Sequence, residues 1–210
     1  MIGLYAMVSG PLDGAVGASG EPLREVRCGE LRLLVGAAPP ALTPESLRAH
    51  EAAVRGIADA CDACLPARFG SGAADDDELR ARVEPRALEL LEALALVRGR
   101  EQMTLRVQEA ALAVPLEPLP PGPGARYLEE RRRARRLPEL DPLRAAVAAL
   151  VRAERIERQG ARGLLASIYH LIDKGTADAY RAAVAKVDGL RVVTSGPWPA
   201  WSFAPEVAAP

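Results

Sequence analysis

The chain has 210 residues, of which 49% are hydrophobic and 26% charged, a composition typical of globular proteins and unlike that of disordered ones. A formal net charge of −1 gives no general attraction to nucleic acid or anionic membranes. The first residues lack the basic start of a signal peptide, no uncharged apolar run is long enough to span a membrane, and three cysteines do not indicate a disulfide framework. We therefore expect a cytoplasmic protein without nucleic-acid or membrane partners.

The first part of the chain predicts β-strands. Ile2 to Val8 is apolar at successive positions, which is typical of a central strand buried on both faces. Two shorter strand candidates, Leu23 to Cys28 and Leu31 to Val35, are joined by a tight turn at Gly29. The pattern indicates a strand, a loop and a hairpin.

A helix is predicted after a Pro-rich loop. Thr43 can cap it, Pro44 suits its first position, and Glu45 complements the positive end of the helix dipole. Apolar or cysteine side chains recur at spacings of three and four and predict one buried stripe, made of Leu47, His50, Val54, Ile57, Cys61 and Cys64.

The histidine and cysteines of this stripe raise the question of metal or thiol chemistry. His50 and Cys61 are eleven residues apart, which is about 16 Å along a helix, so they cannot bind one ion. A single C-x-x-C without a second pair is a weak zinc signal. We expect Cys61 and Cys64 to be buried small hydrophobes, with no metal and no cofactor. The alternative is a thiol redox protein, and thiol titration of the native protein discriminates the two.

Four successive acidic residues, Asp75 to Glu78, precede the next helical pattern. Acidic groups complement a helix N-terminus, and contiguous carboxylates cannot all face one ion, so we expect a cap rather than a magnesium or calcium site. Pro85 is expected to kink or split this helix. Its apolar face is predicted to contain Leu79, Val83, Ala87, Leu90, Leu94 and Val97.

The middle of the chain combines a strand, a stiff loop and a basic segment. Residues 103–107 alternate apolar and polar side chains, as in a half-buried strand, and the Pro-rich residues 115–124 predict a loop. The segment 126–136 contains two glutamates and a run of arginines. It is interpreted as a solvated helix face or a site for an acidic protein partner, with nucleic acid as a weaker alternative, and the candidate contacts are Arg131, Arg132 and Arg135.

The remaining elements follow in a regular order. Asp141-Pro142 is expected to cap and start a helix with Leu143, Val147 and Leu150 on its apolar face. Residues 155–159 form a polar edge-strand candidate, 164–172 a strongly apolar strand, and 190–194 the last strand, after a helix that starts at Thr176. His170 is expected to be a hydrogen-bonded strand residue, because no nucleophile or carboxylate partner is identifiable.

The closing stretch from Ser195, S-G-P-W-P-A-W-S-F, concentrates the aromatic residues. Pro197 and Pro199 are expected to hold it extended and to prevent an ordinary ladder strand. Two roles remain open: a plug that covers the protein's own core, or an exposed anchor for a partner. The residues concerned are Trp198, Trp201 and Phe203.

The element order predicts an α+β protein of two domains. Residues 1–99 form a mixed α+β domain. Residues 100–196 follow the βαββαβ order of a ferredoxin-like domain, and residues 197–210 form an aromatic and Pro-rich tail.

Several motifs resemble landmarks of the gas vesicle protein F/L family. The end of the chain is similar to that family's closing motif, G-P-W-P-P-Y-S-F, with Ala200 and Trp201 as departures. The other landmarks recur in the family's order: the opening strand, His50, the L-P-x-R-F-G motif of residues 65–70, Gly99-x-Glu101, and Tyr127-Leu128.

The resemblance implies a non-enzymatic accessory protein of gas vesicle formation, associated with the vesicle. It implies binding to the hydrophobic shell protein and to other accessory proteins during nucleation and assembly, with no small-molecule substrate. A protein that shields an apolar shell subunit needs an aromatic surface and no catalytic centre. The candidate partner-binding residues are therefore Trp198, Trp201 and Phe203, together with the three arginines of the basic segment. The alternatives are the thiol redox protein and a ligand-binding ferredoxin-like module.

Overall fold

The protein, described from a computed structural model, is defined over residues 1–12, 14–38, 41–108, 137–158 and 164–206. These residues form two antiparallel sheets and a few helices, which confirms the predicted α+β class. The predicted loop at 115–124 and the basic segment at 126–136 lie outside the described residues.

The first half of the chain builds a sheet with helices on both faces. Its strands lie in the order β2-β3-β1-β4, and a short β5 also pairs with β1. The elements are β1 (Ile2–Ser9), β2 (Arg24–Cys28), β3 (Leu31–Ala37), α1 (Pro44–Ala60), β4 (Ala63–Pro66), β5 (Gly72–Ala73), α2 (Asp76–Val83) and α3 (Ala87–Val97).

Strand β1 is central, as its continuous apolar run predicts. Leu4 and Met7 pack with the side of the sheet that α2 and α3 cover, whereas Tyr5 and Val8 pack with residues of α1. All six residues from Gly3 to Val8 are buried. Burial on both faces explains why this strand has no polar alternation.

Helix α1 begins as predicted but ends earlier. The Thr43 side chain accepts a hydrogen bond from the Ser46 amide, and the Thr43 amide donates one to the Ser46 hydroxyl, which completes a capping box. The helix ends at Ala60, so Cys61 is its cap and Cys64 lies in β4. The predicted stripe is therefore wrong beyond Ile57. The prediction is also wrong at Leu47. This side chain is 43% exposed because this side of α1 lines an open groove.

The acidic run and Pro85 behave as predicted. Asp75 accepts a hydrogen bond from the Glu78 amide at 2.9 Å and caps α2. Pro85 lies in a single 3₁₀ turn, Glu84–Arg86, that divides α2 from α3. Proline lacks the amide hydrogen that a continuous helix needs, so the segment splits there.

The second half builds a four-stranded sheet in the order β7-β8-β6-β9. Its helices α4 and α5 pack on one face, over a core that includes Met103, Leu105, Ile168 and Tyr180. The elements are β6 (Arg100–Gln108), α4 (Asp141–Val147), β7 (Val151–Arg158), β8 (Leu164–Asp173), α5 (Ala177–Val184) and β9 (Arg191–Trp198).

Two local predictions for this half are corrected. Asp141 is the first residue of α4 rather than its cap, because the 3₁₀ turn Pro138–Leu140 runs directly into the helix. The last strand does not stop at Thr194 but continues through Pro197. A bulge between the pairs Thr104–Ser195 and Gln102–Trp198 accommodates the proline, which has no amide hydrogen to donate to the ladder.

The chain then turns into the space between the two sheets. A 3₁₀ turn, Trp201–Phe203, follows β9. Ala200 and Phe203 are 3% and 2% exposed and join Leu171 of β8 in the core of the first sheet. The tail therefore links the packing of the two halves.

Candidate functional site

An open groove of about 780 Å³ lies between α1 and the face of the second sheet that α4 and α5 leave uncovered. Helix α1 contributes Leu47, Arg48 and Glu51 to one wall. The loop after β4 and the closing stretch complete the other sides, with Arg68, Phe69, Trp198, Trp201 and Ser202.

The floor is the polar face of three neighbouring strands. Gln102, Thr104 and Arg106 alternate with the buried residues of β6, and Ser167 and Tyr169 do the same in β8. Ser195 of β9 lines the same face. Because side chains alternate between the faces of a strand, one sheet supplies an apolar core under its helices and a hydrogen-bonding surface to the groove.

Hydrogen bonds anchor the closing stretch at the end of this floor. The Ser202 amide donates to Oε1 of Gln102 at 2.8 Å, and Nη1 of Arg155 donates to the Ser202 carbonyl at 2.7 Å. The Arg155 guanidinium also lies 5.4 Å from the Phe203 ring centre. These contacts hold the two indoles of Trp198 and Trp201 at the groove.

An aromatic cluster surrounds His50 where α1 meets the closing stretch. Its ring is stacked on Tyr5 at 5.1 Å between centroids, meets Phe69 edge-on at 5.6 Å and lies 6.3 Å from Trp201. Nε2 of His50 hydrogen-bonds to the Ala67 carbonyl at 3.0 Å. Burial lowers the pKa of His50, because the imidazolium would lose its hydration there. The ring therefore serves as a neutral packing element.

Trp198 is held from the helix side. The Arg55 guanidinium lies 4.7 Å from the centre of its ring, and Nη1 of Arg55 approaches the Pro197 carbonyl at 3.4 Å. This cation–π contact keeps the indole against α1 and leaves it partly exposed.

The charges of the groove are predominantly positive. Arg48, Arg68 and Arg106 line it, with Glu51 as the acidic side chain. Glu51 is itself paired with Arg55, at 3.2 Å. Arg68 forms an ion pair with Glu206, which follows the closing stretch in the chain. The groove thus combines aromatic surface with an excess of guanidinium groups.

The structure brings part of the predicted site together. Trp198 and Trp201 are half-buried and line the groove, whereas Phe203 packs in the core beneath. Arg131, Arg132 and Arg135 lie outside the described residues. Arg48 and Arg106 were not predicted from the sequence as site residues. For Arg106 the alternation of β6 was a usable signal, because it places that residue on the polar face.

Cys61 and Cys64 are 6% and 7% exposed. A hydrogen bond from Cys64 lowers the pKa of Cys61, and the same contact, with burial, raises the pKa of Cys64 well above its usual value. Sγ of Cys61 also donates to the Ala63 carbonyl at 3.2 Å. In the ranges that the structure describes, no group of three or more His, Cys, Asp or Glu side chains is placed to hold a metal ion.

His170 has partners that the sequence analysis did not identify. Nδ1 lies 2.6 Å from the Tyr180 hydroxyl and Nε2 lies 3.0 Å from Glu154, which Arg144 also contacts. His170 and Tyr180 are 1% and 0% exposed, and burial raises the pKa of the Tyr180 hydroxyl. This network joins β7, β8 and α5. His170 and Tyr180 are buried, whereas Glu154 lies at the exposed edge, and His170 is a hydrogen-bonded strand residue as expected. None of its members lines the groove.

Over the described part of the chain, no helix combines the length and the apolar character needed to cross a bilayer.

Comparisons with known proteins agree on one family. The model of the family described as gas vesicle synthesis protein GvpL/GvpF matches residues 3–205. A gas vesicle protein F from Streptomyces sp. (strain CB03234) is 28% identical over 217 residues, which cover 90% of this chain and 91% of the relative.

Two crystal structures share the fold. GvpF from Anabaena sp. PCC7120 superimposes with a TM-score of 0.72 at 13% identity, over 97% of this chain and 95% of that one. GvpF from Microcystis aeruginosa gives a TM-score of 0.72 at 16% identity, over 97% and 98%. At these identities the likeness shows the fold alone.

Proposed function

This chain belongs to the gas vesicle synthesis protein GvpL/GvpF family, and from that premise we propose that it is a non-enzymatic accessory protein of gas vesicle formation. In this role it binds the hydrophobic shell protein, together with other accessory proteins, during nucleation and assembly, and it limits aggregation of the shell protein. It acts in the cytoplasm, in association with the growing vesicle. The observation that carries the proposal is the family match over residues 3–205.

The groove is the surface proposed for this binding. A subunit that builds a gas-filled wall exposes apolar side chains before assembly and would aggregate alone. Half-buried indoles on a fixed backbone suit the capture of such side chains, because little conformational entropy is lost when a partner docks. Trp198 and Trp201 supply this contact, and Phe203 supports it from the core beneath.

A two-domain organisation is part of the proposal. The strand order β7-β8-β6-β9, with helical segments between β6 and β7 and between β8 and β9, supports a ferredoxin-like domain over residues 100–196. Residues 1–99 form the other domain, residues 197–210 are assigned to the tail, and the described part of that tail, 197–206, runs between the two domains. The groove then lies where two domains meet, a common position for binding sites.

The test is co-expression with the shell protein encoded in the same genome, followed by affinity capture of this chain. We expect capture of the shell protein and an increase in its soluble fraction. The double variant Trp198→Ala with Trp201→Ala should lose most of both effects while remaining folded by circular dichroism.

A matched control removes exposed apolar surface elsewhere. Leu42 and Leu88 are 72% and 73% exposed, and neither lines the groove. The variant Leu42→Ala with Leu88→Ala should capture the shell protein as the wild type does. Equal capture by the folded tryptophan variant would show that the groove is not the binding surface, and no capture by the wild type would contradict the assembly role.

A further inference from the structure

Two arginines in the groove have no acidic partner among the residues that the structure describes. Arg48 projects from α1 and Arg106 from β6, so they reach the groove from two different walls. Both are exposed, and within the described ranges neither makes an ion pair or a side-chain hydrogen bond. Other arginines near the groove already have partners. Arg55 forms an ion pair with Glu51, and Arg155 donates a hydrogen bond to the Ser202 carbonyl.

One arginine that lines the groove already pairs with a carboxylate of the same chain. Arg68 pairs with Glu206, which follows the aromatic turn in the chain. The backbone carbonyl of Glu206 also accepts a hydrogen bond from Arg86. This ion pair shows that one arginine lining the groove is accessible to a carboxylate.

The rest of the surface fits a peptide better than a small polar anion. Leu47, Trp198 and Trp201 offer apolar area that a phosphate or sulfate would leave unused. Thr104 and Ser195, both half-buried, offer hydroxyl groups that can pair with the main chain of a bound segment. The N-terminus of α1, where anions commonly bind, is closed by the capping box of Thr43 and Ser46.

We propose that the groove recognises an acidic segment of its partner, a stretch in which aspartate or glutamate side chains flank an apolar one. The carboxylates pair with Arg48 and Arg106, and the apolar side chain packs on the indoles of Trp198 and Trp201. This deepens and rests on the proposed assembly role, since it names the chemistry of the segment that docks there. Guanidinium–carboxylate pairs add geometric selectivity to apolar contact. The groove therefore binds hydrophobic segments that carry acidic side chains in preference to those that do not.

The experiment uses synthetic peptides and the full chain. The first probe alternates glutamate with leucine, the second replaces glutamate with glutamine, and the third replaces it with lysine. Fluorescence anisotropy should show that the acidic peptide binds at least about tenfold more tightly than the glutamine peptide, a difference of about 1.4 kcal/mol. Binding of the acidic peptide should weaken as salt is raised, because part of it is Coulombic.

Charge-reversal variants locate the site. Arg48→Glu with Arg106→Glu should raise the Kd for the acidic peptide by at least about tenfold. Arg158 and Arg191 are exposed and lie outside the groove, so Arg158→Glu with Arg191→Glu is a control with the same change in net charge. That control should retain the wild-type Kd. Circular dichroism checks that both variants are folded.

Several outcomes would overturn the inference, and one would overturn only the assembly role. Equal affinity for the acidic and glutamine peptides would show that carboxylates are not recognised, and equal losses in the two double variants would show that only net charge matters. Displacement of the peptide by inorganic phosphate at comparable concentration would indicate a small-anion site. Shell-protein capture separates this proposal from the assembly role: capture by the wild type with no acidic-peptide preference refutes the inference alone, whereas peptide selectivity without shell capture refutes the assembly role alone.

Discussion

At the scale of single residues, His50 illustrates a polar group used for packing. Its imidazole fills the space between Tyr5, Phe69 and Trp201, and one hydrogen bond to the Ala67 carbonyl fixes its orientation. The lowered pKa of His50 keeps it neutral in the folded protein. The aromatic end of the groove therefore depends on a ring that resists protonation.

The same property predicts a pH dependence of stability. Unfolded chain binds the His50 proton at a pKa of about 6.5 and folded protein only at a lower pH, so acid favours the unfolded state. This contribution to stability is complete above about pH 6.5 and falls as the pH drops from there toward the folded pKa. One proton sets a slope of at most about 1.4 kcal/mol per pH unit.

Urea denaturation at a series of pH values measures this slope. His50→Gln should be less stable than the wild type near neutral pH, because the stacked ring is lost, but its stability should fall less steeply below about pH 6.5. Glutamine can still donate to the Ala67 carbonyl. Identical slopes in the two proteins would show that His50 is not the group that resists protonation.

At the scale of elements, β9 positions Trp198, one of the two tryptophans that line the groove. It is an edge strand whose bulge turns Trp198 toward α1. Gly196, at φ +114°, approaches the Gln102 carbonyl so closely that an added Cβ would lie 2.8 Å from that oxygen. Only glycine is free of strain in this backbone region, so the bulge depends on it.

Alanine substitution at two glycines tests whether the β9 bulge requires glycine at position 196. Gly196→Ala should destabilise the protein by about 1–3 kcal/mol and weaken partner capture, because the bulge must shift. Gly56 lies inside α1 with open space around its Cβ position, so Gly56→Ala should stabilise by about 0.5–1 kcal/mol. Thermal and chemical denaturation measure both, and a neutral Gly196→Ala would contradict the assigned role of the bulge.

At the scale of the whole molecule, the two sheets are joined by specific contacts. Nζ of Lys174 donates to the carbonyls of Ala58 and Cys61 at 2.6 and 3.2 Å, at the C-terminal end of α1, where a cation is favourable. The backbone of Gly99 accepts from Lys174 at 3.0 Å and donates to Asp62 at 2.8 Å. These contacts fix the end of α1 against the second sheet, and they therefore position the helix wall of the groove relative to its floor.

Phe203 provides the apolar part of this connection. Because its ring is fully enclosed in the first sheet's core, Phe203→Ala should lower the free energy of unfolding by about 3–5 kcal/mol. Phe203→Leu keeps most of the buried surface and should lose clearly less. Guanidinium titration measures both, and a loss below about 1 kcal/mol for the alanine variant would place the ring outside the core.

Much of the local structure was predictable because its causes are close together in the chain. Continuous apolar runs identified β1 and β8, and alternation identified β6. The capping and breaking properties of Thr43, Asp75 and Pro85 identified where helices begin or divide. Two of the errors occurred where pairing with a distant strand decided the outcome. Pairing with β1 takes Cys64 out of the helical stripe, and pairing with β6 carries β9 through Pro197.

The sequence by itself determined the α+β class, the family, and the presence of a rigid aromatic stretch at the end of the chain. Each is encoded in residues a few positions apart, where capping, alternation and motif spacing act. Only the tertiary structure decided that Leu47 faces a groove and that Phe203 is buried while two indoles remain accessible. It also decided that Arg48 and Arg106 share a surface on which no described acidic side chain pairs with them. Those properties depend on which distant segments pack together, because burial and charge pairing are set by neighbours in space rather than in the chain.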